Sequence, residues 1–150
     1  MKMPRTAPIY HVLPLLAVIA GGCVGRAPSW TPDEKANASH IFRSAKADIE
    51  ATRIMNRLVQ EGSLKVSDSV FGVVVALQRT ALEEARMVRD EVLEKAAPGM
   101  AKPYREFYKQ SLELRLAFTE TEDNQASIRA SQLHDKWVDW STAHPPRVPK

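Results

Sequence analysis

Cysteine is almost absent from this chain of 150 residues: Cys23 stands alone. A single cysteine excludes a disulfide framework and any zinc site built on paired thiolates. Glycine is sparse, at 6 residues against 10 Pro, which excludes collagen-like and glycine-rich architectures. Aromatic residues make up only 7%. No apolar run approaches the roughly 20 residues that a helix needs to cross about 30 Å of hydrocarbon. Neither sign of charge dominates, since 21 Lys and Arg face 18 Asp and Glu for a formal net charge of +3. Taken alone, that basic excess points to nucleic acid or an anionic surface. The 44% of hydrophobic residues suffices for one packed core and is too much for a disordered chain.

Catalytic patterns are missing as well. There is no G-x-S-x-G turn, phosphate-binding glycine loop, H-E-x-x-H or C-x-x-C-H. Di-iron bundles place Glu three residues before His, whereas His40 and His134 follow Asn37 and Ser131 at that spacing. His11 lies in the N-terminal segment and His144 in the tail. His40, His134 and Asp135 leave a metal site geometrically open, but lone histidines are more often solvated or packed. Glu120, Glu122 and Asp123 lack the spacing of a calcium loop and read as a solvated helix connection. The expectation is a protein with no catalytic residues, no metal and no cofactor.

What is present begins at the N-terminus. Lys2 and Arg5 precede an apolar stretch from Val12 to Ala20, interrupted by Pro14 and followed by Gly21, Gly22 and Cys23. Too short to span a bilayer and ending in small residues, it reads as a cleavable signal peptide. With the cysteine directly after the small residues, residues 1–23 resemble the bacterial lipoprotein signal, although Ala20 stands where that signal most often has Leu. The resemblance implies diacylglyceryl transfer to Cys23, cleavage after Gly22, and acylation of the new amino terminus. Under the enterobacterial sorting rule, Val24 in place of Asp implies the outer rather than the inner membrane. The implied address is the bacterial cell envelope, lipid-anchored and facing the periplasm, with no nucleic-acid partner. Loss of residues 1–22 removes Lys2 and Arg5 and no acid, so the charge of the remainder falls to +1.

The remaining chain divides into Cys23 with a tether to residue 32, a helical domain over 33–143, and a flexible tail over 144–150 that contains Pro146-x-x-Pro149. Thr31, Pro32 and Glu34 form a helix-start pattern. Ile41, Phe42, Ala45, Ile49, Thr52, Met55 and Val59 then recur at steps of three and four up to Gly62. A second helix, capped by Ser67, Asp68 or Ser69, carries Val70, Val74, Leu77, Ala81, Ala85, Val88 and Val92, and Pro98-Gly99 stops it. A third, from about Pro103, aligns Tyr104, Phe107, Ser111, Leu114 and Phe118. The polar run from Thr119 to Asn124 caps a fourth, lined by Ala126, Ala130, Leu133, Trp137 and Trp140. Short connections favour antiparallel neighbours. The predicted fold is an all-α antiparallel helical bundle: a long two-helix hairpin, about 43 Å per arm, with two shorter helices of about 27 Å packed on it.

Three surfaces are candidates for partners. Near the hairpin turn, Ala51, Ile54 and Leu58 add a second apolar stripe to the first helix, while Phe71, Val73 and Val75 widen the second. Burial under the shorter helices is the plain reading; a partly uncovered tip would dock an envelope protein or a second copy. Arg43, Lys46, Arg53 and Arg57 share one side of the first helix, either as a solvated face balanced by Asp48 and Glu50 or as a contact to an anionic surface. Trp137 and Trp140 share a face and either close the bundle or, exposed, anchor a partner. Arg79–Glu83, Arg86–Asp90 and Glu91–Lys95 are spaced for ion pairs within the second helix. The leading expectation is a lipid-anchored interaction or scaffolding module. A helical module binding a small ligand or metal comes second, and an enzyme last.

Overall fold

The computed structural model describes residues 28–60 and 68–149. The expected signal peptide, Cys23, the first part of the tether and the turn at Gly62 and Ser67 lie outside the described residues. Among those described the chain is all-α and forms a helical bundle: α1 (Pro32–Gln60), α2 (Asp68–Met87), α3 (Asp90–Ala96), α4 (Ala101–Pro103), a π-helical stretch (Tyr104–Lys109), α5 (Gln110–Thr121) and α6 (Asn124–Ala143).

The local signals at the helix ends act as the sequence predicts. The Thr31 backbone N–H donates to Glu34 Oε2 (2.7 Å) and the Glu34 N–H donates to Thr31 Oγ1 (3.2 Å), a closed capping box. The Asp123 side chain caps α6 by accepting from the Gln125 N–H at 2.9 Å. Gly99, at φ 79°, adopts the left-handed conformation after α3, and the Glu94 carboxylate accepts the freed N–H groups of Gly99 and Ala101 (2.7 and 3.0 Å).

Antiparallel order follows from cross-helix contacts. Asn37 meets Met87 and Arg89, while Ser44 meets Ala81, so α1 and α2 run in opposite directions. Arg86 donates to Glu113 (3.2 Å) and Arg79 to Glu120 (2.6 Å), which sets α5 antiparallel to α2. These arginines pair between helices, in place of the i,i+4 pairs expected within the second helix.

The predicted second helix is not continuous. It breaks at Val88 and Arg89, where Arg89 is extended (φ −82°, ψ 146°). No glycine or proline causes the break. Asn37 of α1 replaces the lost helical bonds from outside: its Nδ2 donates to the Met87 carbonyl and its Oδ1 accepts from the Arg89 N–H, both at 2.9 Å. The two long arms therefore become one helix of 29 residues and one of 20, the same length as α6.

The buried faces also shift relative to the sequence pattern. On α1 the buried residues are Ala38, Ile41, Ser44, Ala45, Ala47, Asp48 and Ala51, while Phe42 is 40% exposed. The two polar ones are there because each has a partner across the core. In the third helical stretch, the π turn carries Tyr104 and Tyr108 inward, and burial continues through Ser111, Leu112, Arg115 and Thr119. Phe107, Leu114 and Phe118, expected on the buried face, are only half-buried, because the wider π turn advances the register.

Both ends of the described chain are held at α3. Lys95 donates to Glu34 Oε2 at 2.6 Å and lies 5.2 Å above the Trp30 ring. The tail is not free: the Arg147 N–H donates to the Ala96 carbonyl (2.8 Å) and Val148 packs against the core.

Candidate functional site

The cations of α1 divide into two groups. Arg43 is tied down, its Nε donating to Glu84 Oε2 at 2.9 Å while His40 Nδ1 lies 2.6 Å from the same oxygen. Desolvation alone would raise the Glu84 pKa, yet the hydrogen bonds from His40 and Arg43 outweigh it and hold the carboxyl below its usual range. Lys46, Arg53 and Arg57 are exposed, and the nearest carboxylate to Arg53 is Glu50 on its own helix, at 3.7 Å. Lys35 is exposed on the same side of α1. Among the described residues, Lys35, Lys46 and Arg57 form no ion pair, whereas the cations that face neighbouring helices do: Arg79, Arg86, Arg89, Lys95, Arg105 and Arg115 each meet a carboxylate of another element.

The hairpin tip is neither closed nor bare. Ala51 is buried, Ile54, Leu58, Phe71 and Val75 are half-buried, and Val73 is 50% exposed. Because α5 meets α2 at Arg79, the part of α2 that precedes Arg79 continues toward the turn past the end of α5.

The tryptophan pair is resolved differently from its use as a partner anchor. Trp137 is buried at 2% exposure among aromatic rings, with Tyr104 at 5.6 Å (edge-on) and Tyr108 at 5.5 Å. Trp140, half-buried, stacks between Trp137 (5.8 Å) and His144 (4.7 Å). Trp137 is a core residue, because the inward tyrosines of the π turn supply its packing partners.

A buried polar layer beside these rings has no counterpart in the apolar periodicity. Ser44 Oγ donates to the Ala81 carbonyl (2.7 Å), which leaves the Tyr108 hydroxyl to donate to Ser44 (2.9 Å). Arg115 reaches across from α5 to the Asp48 carboxylate at 2.5 Å, the two side chains being 10% and 7% exposed. Burial pushes the Tyr104 and Tyr108 hydroxyls well up from their ordinary pKa. His134 on α6 is pulled down to about 4, first by burial and then by the Arg115 charge, against the opposing effect of Asp48 and Asp135. Its Nδ1, like the Tyr104 hydroxyl and Gln78 Oε1, is buried without a hydrogen-bond partner. Charge alternation along α1 and α5 could have flagged Asp48 and Arg115, but not their pairing.

No nucleophile, base and orienting group converge in this layer, since its only ion pair is closed on itself and its hydroxyls are held protonated. His40 belongs to the α1–α2 contact and His134 to the core, so the structure does not bring them together as ligands. Among the described residues, no group of three or more His, Cys, Asp or Glu side chains is placed to hold a metal ion. No protein-family model, curated protein or solved structure matches this chain.

Proposed function

We propose that the chain is a bacterial envelope lipoprotein whose helical domain serves as an interaction or scaffolding module on the periplasmic side. The observation that carries this reading is the segment from Val12 to Cys23, an apolar stretch after Lys2 and Arg5 that ends in small residues and a cysteine. Stable anchoring takes more than one acyl chain, and the lipidation that the resemblance implies would supply them. Among the described residues no helix is long and apolar enough to cross a membrane. Val24 favours the outer membrane. The hairpin tip around Val73 is the surface offered to an envelope protein or a second copy.

The test is metabolic labelling with a palmitate analogue followed by membrane fractionation. Wild-type protein is expected to carry label and sediment with envelopes. Cys23→Ser should lose both, and unchanged labelling or sedimentation of that variant refutes the anchor. A second reading, a bundle holding a small polar ligand, draws on the unpartnered polar atoms near Tyr104 and His134. Native mass spectrometry of protein purified from envelopes separates the two, because a bound small molecule of constant mass supports the ligand reading.

A further inference from the structure

The outward face of α1 carries the positive surplus of the domain. At 100° per residue, Lys35, Lys46, Arg53 and Arg57 fall within about 40° of one another, and the stripe runs about 33 Å along the helix. Phe42, 40% exposed, lies on the edge of the same stripe. Arg43 and Glu50 flank it. With Arg43 held by Glu84, four cations against one carboxylate on this face compare with a charge of +1 for the whole of residues 23–150, so the rest of the domain is net negative. Pairing differs as well: Arg79, Arg86, Arg89, Lys95, Arg105 and Arg115 are spent on carboxylates of other elements, while Lys35, Lys46 and Arg57, like Lys109, Arg129, Lys136 and Arg147, have no carboxylate partner among the described residues. Such a face, cationic with a single exposed aromatic ring, is drawn to an anionic surface by its charge.

Chain length selects which anionic surface. Trp30 is already packed against the core under Lys95, so only the residues between Cys23 and Trp30 are left as leash, and fully extended they span at most about 25 Å. A domain held by lipid on Cys23 cannot move its α1 further from the headgroups than about its own dimensions. We infer that α1 lies along the anionic lipid headgroups of the membrane that carries the anchor, with Lys35, Lys46, Arg53 and Arg57 toward the phosphates and Phe42 at the headgroup boundary. The inference rests on the lipoprotein reading. It adds that the bundle lies on its side, with the hairpin tip directed along the membrane plane rather than away from it. Lateral neighbours on the same membrane then meet the tip first.

The test uses the lipidated protein purified from envelopes and reconstituted in vesicles. A fluorophore is placed on Gln60→Cys, an uncharged exposed position in line with the stripe, or on Ile128→Cys, an exposed position on α6. Nitroxide-labelled lipid reports proximity to the bilayer. In vesicles containing phosphatidylglycerol, quenching at position 60 is expected to exceed that at position 128 at least twofold. The excess should disappear in pure phosphatidylcholine, in about 0.5 M salt, where the screening length shrinks to a few ångströms, and in the Arg53→Glu/Arg57→Glu variant. Equal quenching at the two positions in anionic vesicles overturns the inference while leaving the anchor intact. So does retention on a soluble anionic polysaccharide without excess quenching, which would assign the face to another envelope polymer. If the purified protein carries no acyl chain, the anchor reading fails instead. The Cys23→Ser protein mixed with the same vesicles then decides the face alone: salt-sensitive quenching at position 60 supports it, and none refutes it.

Discussion

His134 makes the stability of this domain depend on pH in a window where few other side chains titrate. In the folded chain its pKa is about 4, because burial and the neighbouring Arg115 both disfavour the charged ring. In the unfolded chain it returns to about 6.5. A base whose folded pKa is depressed contributes its full stability above the unfolded value. That contribution is lost as pH falls from 6.5 toward 4, because the unfolded state then binds the proton and the folded state does not. Between pH 8 and pH 5 the loss from this one residue is about 2 kcal/mol, at 1.36 kcal/mol for each unit of pKa difference. For a domain of this size that corresponds to a fall in Tm of roughly 6–10 °C. Thermal unfolding followed by circular dichroism at pH 8 and pH 5, on wild type and His134→Gln, isolates the term. The variant should lose at least half of the wild-type difference between the two pH values. An identical difference in both proteins would show that His134 titrates as it does in the unfolded chain, and the burial argument would fail. Glu34 does not mask the effect: held down to about 2 chiefly by the hydrogen bond from Lys95, it loses its contribution only as pH falls from 4.5 toward 2.

Two further predictions concern groups that hold the helices in place. Asn37→Ala should destabilise the domain by about 1–2 kcal/mol, since the Met87 carbonyl and the Arg89 N–H each lose a partner, and Asn37→Asp, which can still accept but not donate, should fall between. Denaturant midpoints measure this, and a variant indistinguishable from wild type would mean that solvent satisfies the break unaided. Removing one member of the buried pair, by Asp48→Ala or Arg115→Met, should cost about 3–5 kcal/mol because the other charge is left uncompensated. The double variant should recover much of that loss, whereas additive losses in the cycle would refute a direct coupling.

How far the fold could be read in advance depended on whether the cause was local. Helix starts and stops are short-range chemistry, and Thr31 with Glu34, Asp123, and Pro98 with Gly99 each act within a few residues of where they stand. The break at Val88–Arg89 was invisible because the side chain that satisfies it, Asn37, lies 50 residues upstream and reaches it only once α1 and α2 are paired. The register of the third stretch was lost for a related reason, since a single π turn moves every later side chain on that helix. Polar core residues were missed because an apolar pattern cannot announce that Ser44, Asp48 and Arg115 will find partners on other helices. At the candidate surfaces, spacing located the α1 cations correctly on one side. It could not show that Arg43 is bonded to Glu84 while Lys46 and Arg57 stand alone, nor that Trp137 would be enclosed by two tyrosines.

The docking of Trp30 under Lys95 and of the tail on Ala96 has a practical consequence for anyone attaching a reporter to this protein. Both ends of the described chain emerge at α3, so a fluorescent domain fused after the tail would sit beside Trp30, on the same end of the bundle as the chain's entry. Gln60 is about 43 Å away along α1. Two labels, one at each of these places, form a ruler of known length whose tilt can be read directly on a living cell.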